Sequence, residues 1–444
     1  MNTQTSANSV LSSEQGTNAP TLLDQIEGFL QESIEAMAPE FAEQPRGGAG
    51  RPLVLPSLCL WSGLVVCVLR GFDSQLALWR LLSTQGLWSY PRFAVSDQAI
   101  YKRLGTANAS VLIGLFTRIS ALLYERLAAY AETTLAPFAS EVMALDVSSL
   151  DQVARYLPSL RDVAAGDSAL LPGKLAALFD IRRQQWRQVQ HIENPQENDK
   201  VSARAILVGL PQKALILADL GYFGFAWFDQ LTASGYYWLS RLRNKTSYEL
   251  VHLYFQDGQT LDAIVWLGKY RADRAAHAVR LVQFQVGRHT YRYITNVLDP
   301  QLLSLTDIAK LYARRWDIEL AFKLIKQHLG LHLLWSSKPA LLLHQIWAVF
   351  LISQILQALR MEIAGRANVD PFDVSMKLLI LYLPTLAADG TDPITLFVQR
   401  GRFARFIRPA SRLRATAPDI PFHLLSPPPP DLVLTRTPRY ANKL

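Results

Sequence analysis

The spacing of hydrophobic positions changes several times along the chain. From Thr21 to Met37, Leu22, Ile26, Phe29, Leu30 and Met37 fall near one side of a helix. Two uncharged apolar stretches, Leu53 to Leu69 and Ala340 to Leu359, each approach membrane-spanning length. Pro56 and Gly63 interrupt the first, and His344, Gln345, Gln354 and Gln357 punctuate the second, so both are expected as buried helices with no membrane partner. From Glu141 the pattern shortens to strand-like runs: Val142 to Leu145, Lys174 to Asp180, Arg187 to Ile192, Ala214 to Leu217 and Tyr236 to Arg243. Residues 246–298 add four or so runs of the antiparallel type.

This order predicts an α/β protein in five parts. A disordered polar tail (1–20) precedes a helical N-terminal region (21–135). A sheet domain (136–339) carries a β insertion at about 246–298. A helical C-terminal region (340–414) leads to a Pro-rich tail (415–444), expected to be extended and poorly ordered.

Three of the apolar runs end on a carboxylate. Asp146 follows Val142 to Leu145, and Asp219 follows Ala214 to Ala218 with Gly221 in the turn beyond. Asp180 also ends an apolar run and Asp151 falls on the following turn, so the first position stays open among Asp146, Asp151 and Asp180. A further carboxylate lies in LYARRWDIELAFKLIKQHLG, residues 311–330, expected as one helix closed by Gly330. At about 100° per residue, Tyr312, Arg315, Glu319 and Lys326 share an arc of roughly 60°. That arc flanks the apolar sector of Leu311, Ile318, Phe322, Ile325 and Leu329. A carboxylate fixed there beside a cation and a phenol suits a phosphate or metal site, while Arg315 and Glu319 equally suit an ordinary surface pair.

Charge adds a candidate partner. The chain has 45 Lys and Arg against 37 Asp and Glu, a net charge of +8 and a pI of about 9.4, which suits DNA. Lys269, Arg271, Arg274, Arg280, Arg288 and Arg292 make the insertion basic, with Trp266, Tyr291 and Tyr293 placed either to stack on bases or simply as strand aromatics. Six arginines between Arg400 and Arg414 form the densest basic run, either a phosphate grip or a solvated tail. Val95 to Leu104, capped by Ser96 or Asp97 with Lys102 and Arg103 at its outer end, is a candidate recognition helix or a plain bundle helix. Cys59 and Cys67, the two cysteines, are expected as buried thiols in a reducing compartment, and no Cys and His cluster has zinc spacing.

The order Tyr312, two residues, Arg315, three residues, Glu319, six residues, Lys326 resembles the signature of the IS-four family of bacterial insertion-sequence DDE transposases. Strand, turn, helix and strand after Ala214 likewise resemble the second half of a ribonuclease-H-like domain. The resemblance implies that Asp146, Asp219 and Glu319 are catalytic and hold two Mg²⁺ ions, for which Mn²⁺ substitutes, so that one site cuts the element end and joins it to target DNA. It implies that Tyr312, Arg315 and Lys326 contact that DNA end. It further implies terminal inverted repeats and a target duplex as partners, a homodimer holding two ends, and a cytoplasmic, bacterial setting. Leu220 departs from the pattern, standing where relatives often have a basic residue. The alternatives are a DNA-binding regulator without catalysis and a ribonuclease-H-like nuclease that does not join.

Overall fold

The computed structural model describes residues 22–41, 54–72, 74–106, 109–150, 159, 161–164, 173–194, 196–269, 273–327, 339–388, 392–410 and 417–440. The N-terminal tail, Asp151, Arg271, the side chain of Lys326, Gly330, Arg412 and Arg414 lie outside the described residues.

Nine strands form one sheet: β1 (Val142–Ser149), β2 (Lys174–Asp180), β3 (Gln185–Ile192), β4 (Leu215–Ala218), β5 (Tyr237–Arg241), β6 (Tyr248–Asp257), β7 (Thr260–Leu267), β8 (Val279–Val286) and β9 (His289–Thr295). Their order is β3-β2-β1-β4-β5-β9-β8-β7-β6. β1, β4 and β5 run parallel, and the remaining neighbours are antiparallel. The four strands anticipated between 246 and 298 are present, but as a continuation of the same sheet, because β9 pairs with β5 through Leu239 opposite Thr295.

Alternation along the strands sorts side chains into two cores. On β1, Val142 and Ala144 enter the larger core while Met143 and Leu145 enter the smaller; on β4, Leu215 and Leu217 divide from Ile216 and Ala218 in the same way. The smaller core is closed by α6 (Asp199–Leu207) and α7 (Phe225–Ala233). The larger takes α1 (Leu22–Glu35), α2 (Ser57–Leu69), α3 (Gln75–Arg80), α4 (Asp97–Thr106) and α5 (Ser110–Arg126) from before the sheet. It also takes α8 (Leu305–Arg314), α9 (Trp316–Gln327), α10 (Pro339–Ala367), α11 (Met376–Ala388) and α12 (Pro393–Arg400) from after it. The helical regions at the two ends of the chain therefore share one core.

At its centre is α10, packed against α2, α5 and α12. Its segment Leu343–Ala367 is long and apolar enough to cross a membrane, yet its most apolar window is wholly buried inside the protein. The glutamine that interrupts it locks it to the sheet: the Trp186 backbone N–H donates to Gln354 Oε1 (2.9 Å), Gln354 Nε2 donates to the Trp186 carbonyl (2.8 Å), and Trp186 Nε1 donates to Ser353 Oγ (3.1 Å). A buried amide that completes a strand's open hydrogen bonds stabilises packing that apolar contact alone would leave degenerate.

Three expectations change. The C-terminal segment is extended but docked. Ala278 N–H donates to the Leu434 carbonyl (2.9 Å), the Arg436 guanidinium lies 4.4 Å from the Trp266 ring centre, and the Tyr440 hydroxyl donates to Asp229 Oδ2 (2.8 Å). Prolines there remove donors but leave carbonyls and side chains to bind the sheet. Ser96 caps α4 as expected, accepting from Ala99 N–H (3.3 Å), but Arg103 turns inward, with Nη2 donating to Ser57 Oγ (2.8 Å), so it is not presented as an outward cation. In the insertion, Arg280 is 0 % exposed, paired with Asp262, and Tyr293 is buried, so neither is presented at the surface. Cys59 and Cys67 lie on α2 as free, buried thiols; burial pushes Cys59 up to about 11 and Cys67 higher still.

Candidate active site

The parallel pairing of β1 with β4 runs from Val142 opposite Leu215 to Leu145 opposite Ala218. One residue further, Asp146 and Asp219 stand side by side where β4 ends. β1 itself continues to Ser149, with Asp146 opposite Ala177 of β2, so Asp146 does not terminate its strand as the sequence suggested. Parity fixes the face. Residues 142, 144 and 146 point one way, as do 215, 217 and 219, toward the core that receives α8 and α9. The crevice beyond the carboxyl ends of parallel strands is where open α/β sheets place their ligands.

Asp219 caps the single helical turn Leu220–Tyr222 by accepting from Gly221 N–H. A Cβ at Gly221 would come within 2.9 Å of Asp219 Oδ1, so glycine leaves room for the carboxylate rather than relieving a strained φ. Asp146 accepts from its neighbour's N–H at Val147 (2.8 Å). Burial pushes its carboxyl up to about 6; that hydrogen bond and Arg315 oppose the rise, while Glu319 and Asp219 add to it. Glu319 and Asp219 thus both act electrostatically on Asp146.

Glu319 arrives on a helix pair rather than on one helix. Ser304 caps α8 by accepting from Asp307 N–H (3.0 Å), and the chain turns at Arg315 before α9 begins. Arg315 N–H is shared between the carbonyls of Leu311 and Tyr312 (3.2 Å each), and its αR backbone lets the second helix follow directly. Arg314 secures the junction, with Nε 2.7 Å from Asp317 Oδ2 and Nη2 donating to the Ile181 carbonyl (3.1 Å). Glu319 therefore sits in the first turn of α9, where the helix dipole favours a carboxylate. Its Oε1 accepts from Arg315 Nη2 (2.7 Å).

Tyr312 is 7 % exposed, its ring 4.8 Å from that of Tyr293 and its face 5.6 Å from the Arg241 guanidinium and 5.7 Å from that of Arg315. Burial pushes its phenol up, partly offset by Arg315 and Arg241. Tyr312, Arg315 and Glu319 are thus brought together with the aspartates.

The rival Asp180 stands apart from Asp219 and Glu319 on two counts. β2 runs antiparallel to β1 and pairs Asp180 with Met143, at the opposite end of the sheet, and its parity points it to the other face. There it is consumed by a turn, accepting from Arg182 N–H (2.8 Å) and Arg183 N–H (3.0 Å) and pairing with Arg183 Nη1 (3.2 Å).

Three carboxylates supply hard oxygen donors of the kind Mg²⁺ and Mn²⁺ take. Three buried polar atoms in the same region, Arg315 Nε, Tyr222 Oη and Ser148 Oγ, have no hydrogen-bond partner among the described residues. The residues fit a divalent cation by donor type, although no three His, Cys, Asp or Glu groups among the described residues converge closely enough to hold one, and Arg315 takes up Glu319.

Two residues that the sequence reading passed over border this site. Arg241 and Arg243, at the end of β5, line a cleft of about 520 Å³ with Leu220, His289, Tyr291 and Arg292. Arg243 Nη2 donates to the Leu220 carbonyl (3.3 Å). Both arginines stand exposed at the same sheet end as Asp219. The signal was the alternating cations of Ser240-Arg241-Leu242-Arg243 on a strand parallel to the one that delivers Asp219.

Residues 172–355 match the family model of the transposase DDE domain. Asp219 and Glu319 fall inside that span, and Asp146 lies before it. No curated protein matches the chain. Among solved structures, the chain is similar to the piggyBac transposase in its synaptic complex with hairpin DNA, at 9 % identity and a TM-score of 0.38, covering 88 % of this chain and 84 % of that one.

Proposed function

We propose that the protein is a DNA transposase of the DDE type that cuts the ends of its own insertion sequence and joins them to target DNA. The observation that carries this reading is the convergence of Asp146 and Asp219, by register and parity, on the face that receives Glu319, within a chain whose residues 172–355 match the transposase DDE domain. The order β3-β2-β1-β4-β5, antiparallel then parallel, supports a ribonuclease-H-like plan for the catalytic part.

In this reading Asp146, Asp219 and Glu319 hold divalent metal, with Mg²⁺ the expected ion and Mn²⁺ a substitute. Bound metal would activate the attacking water or 3′ hydroxyl and stabilise the leaving oxygen. Arg315 neutralises part of the negative charge that Asp146 and Glu319 concentrate at one place, and it is available to a phosphate when Glu319 turns to metal. Tyr312, held between Arg241, Arg315 and Tyr293, supplies a rigid wall beside the strand end. The cleft of Arg241, Arg243 and Arg292 continues from Asp219 and gives the DNA backbone a cationic path. Lys326 takes a DNA contact by resemblance to the family signature. Two copies would hold the paired ends.

The test is cleavage of a plasmid carrying the gene with its flanking DNA. Transposition predicts Mg²⁺-dependent nicks at fixed boundaries and joining of the freed 3′ ends to a second duplex, both lost in Glu319→Gln with DNA binding retained. Full activity of Glu319→Gln would remove Glu319 from the site; cleavage without joining would make the protein a nuclease, and binding without either a regulator.

A further inference from the structure

We propose that the turn Gly401–Arg408 is a nucleic-acid contact in which the Phe403 ring stacks on an unpaired or unstacked base while neighbouring arginines hold the flanking phosphates. The proposal rests on the protein acting on DNA, and it concerns a surface built from α11, α12 and the turn after them.

Phe403 is 92 % exposed, whereas Phe406, three residues on, is buried and stacked on Phe397 with ring centres 4.4 Å apart and planes 11° apart. The turn is not slack chain. Ala404 N–H donates to the Arg400 carbonyl (2.8 Å), Ile407 N–H to the Gly401 carbonyl (2.9 Å) and Ser375 N–H to the Phe406 carbonyl (2.8 Å). A side chain at Gly401 would collide with the Phe397 carbonyl and with Ile407, so the turn closes only around glycine. One phenylalanine anchors the turn, and the other is held out in water at its tip.

The charge carried by the turn itself has one sign. Arg400, Arg402, Arg405 and Arg408 are all exposed, and none of them takes part in an ion pair among the described residues. No Asp or Glu occurs from 393 to 418. Asp373 and Asp317 line a cleft with Arg408 on the inner side of the turn, and the Asp373 carboxylate accepts from Ala410 N–H (2.9 Å). Tyr382, 40 % exposed, lies 5.4 Å from Phe406 and places a second ring on the same surface. Exposed rings set among guanidinium groups without acids complement a strand that presents bases and phosphates together.

The experiment is fluorescence anisotropy with a labelled oligothymidine and a labelled random duplex, in the absence of divalent ions and over a range of salt. Phe403→Ala should weaken oligothymidine binding about tenfold, the effect of one lost base–aromatic stack, with a smaller change for the duplex, and Phe403→Trp should restore it. Arg402→Ala with Arg405→Ala should flatten the logarithmic salt dependence for oligothymidine by about 1.4, or about 0.7 per phosphate contact. Because Phe403 is 92 % exposed, an unchanged thermal midpoint is the expected control. Phe403→Ala binding oligothymidine as tightly as the parent would overturn the proposal. So would a loss confined to sedimentation with phosphatidylserine vesicles, which would assign the tip to a lipid surface. Metal-free binding separates the two readings: a parent that binds through Phe403 but never cleaves refutes only the transposase, and one that cleaves while Phe403→Ala binds normally refutes only this contact.

Discussion

Asp262 on β7 and Asp146 on β1 both sit within the same sheet, and their surroundings differ in kind. Asp262 is 1 % exposed and accepts from Arg280 Nε (2.7 Å) and Nη2 (2.6 Å), with the Arg280 guanidinium also donating to the Leu303 carbonyl. That charge is matched inside the protein. Asp146 has one hydrogen bond from its neighbour's backbone and two further carboxylates nearby, and the closest cation is shared with Glu319. A structural ion pair is complete before any ligand arrives, whereas Asp146 is left with a raised carboxyl and a cation that it shares with Glu319.

Breaking the complete pair should cost most. Arg280→Ala leaves Asp262 buried without its partner and should lower stability by about 3–5 kcal/mol in a urea titration, while replacing both residues together with Met and Leu should come close to neutral. If the single replacement is also neutral, the pair is not what holds β7 to β8.

At Asp146 the sign reverses. The Asp146 carboxyl is raised to about 6 from its ordinary value of 3.8, so the folded state holds its proton more tightly than the unfolded state does. Stability from this group is present below about 4 and is lost as pH rises toward 6. Asp146→Asn should therefore stabilise the metal-free protein at pH 7 by on the order of 1–2 kcal/mol, allowing for partial exposure, and should give no gain at pH 4. Equal gains at both values would mean that packing, not charge, separates the variants.

The smallest effect is expected at the docked tail. Tyr440→Phe removes the hydroxyl from Asp229, which still accepts from Ala276 N–H (2.7 Å) and His277 N–H (2.9 Å), so the loss should be about 1 kcal/mol, read from the thermal midpoint. A much larger loss would make the tail part of the cooperative core.

What the sequence showed and what it hid follow the same division. Val142 to Leu145 and Ala214 to Ala218 are continuously apolar because both faces of those central strands are covered, and that local pattern offered Asp219 and, beside its rivals Asp151 and Asp180, Asp146. Choosing Asp146 over Asp180 required knowing that β1 pairs parallel with β4 and antiparallel with β2, a non-local fact that no window contains. The turn at Arg315 was hidden because its backbone stays helical in φ and ψ, so nothing in Tyr312 to Glu319 breaks the periodicity. Arg280 looked like a ligand-facing cation because an alternating strand reveals nothing of a partner on the next strand. Arg436 and Tyr440 were hidden inside a proline-rich composition that signals extension and says nothing about docking.

The central claim is that Asp146, Asp219 and Glu319 form one cation site. Mn²⁺ titration followed by electron paramagnetic resonance tests it on the intact protein and on Asp146→Asn, Asp219→Asn and Glu319→Gln. The account predicts saturable binding by the parent at pH 7 and at least about tenfold weaker binding in each variant. Parent-like Mn²⁺ affinity in all three variants would contradict it.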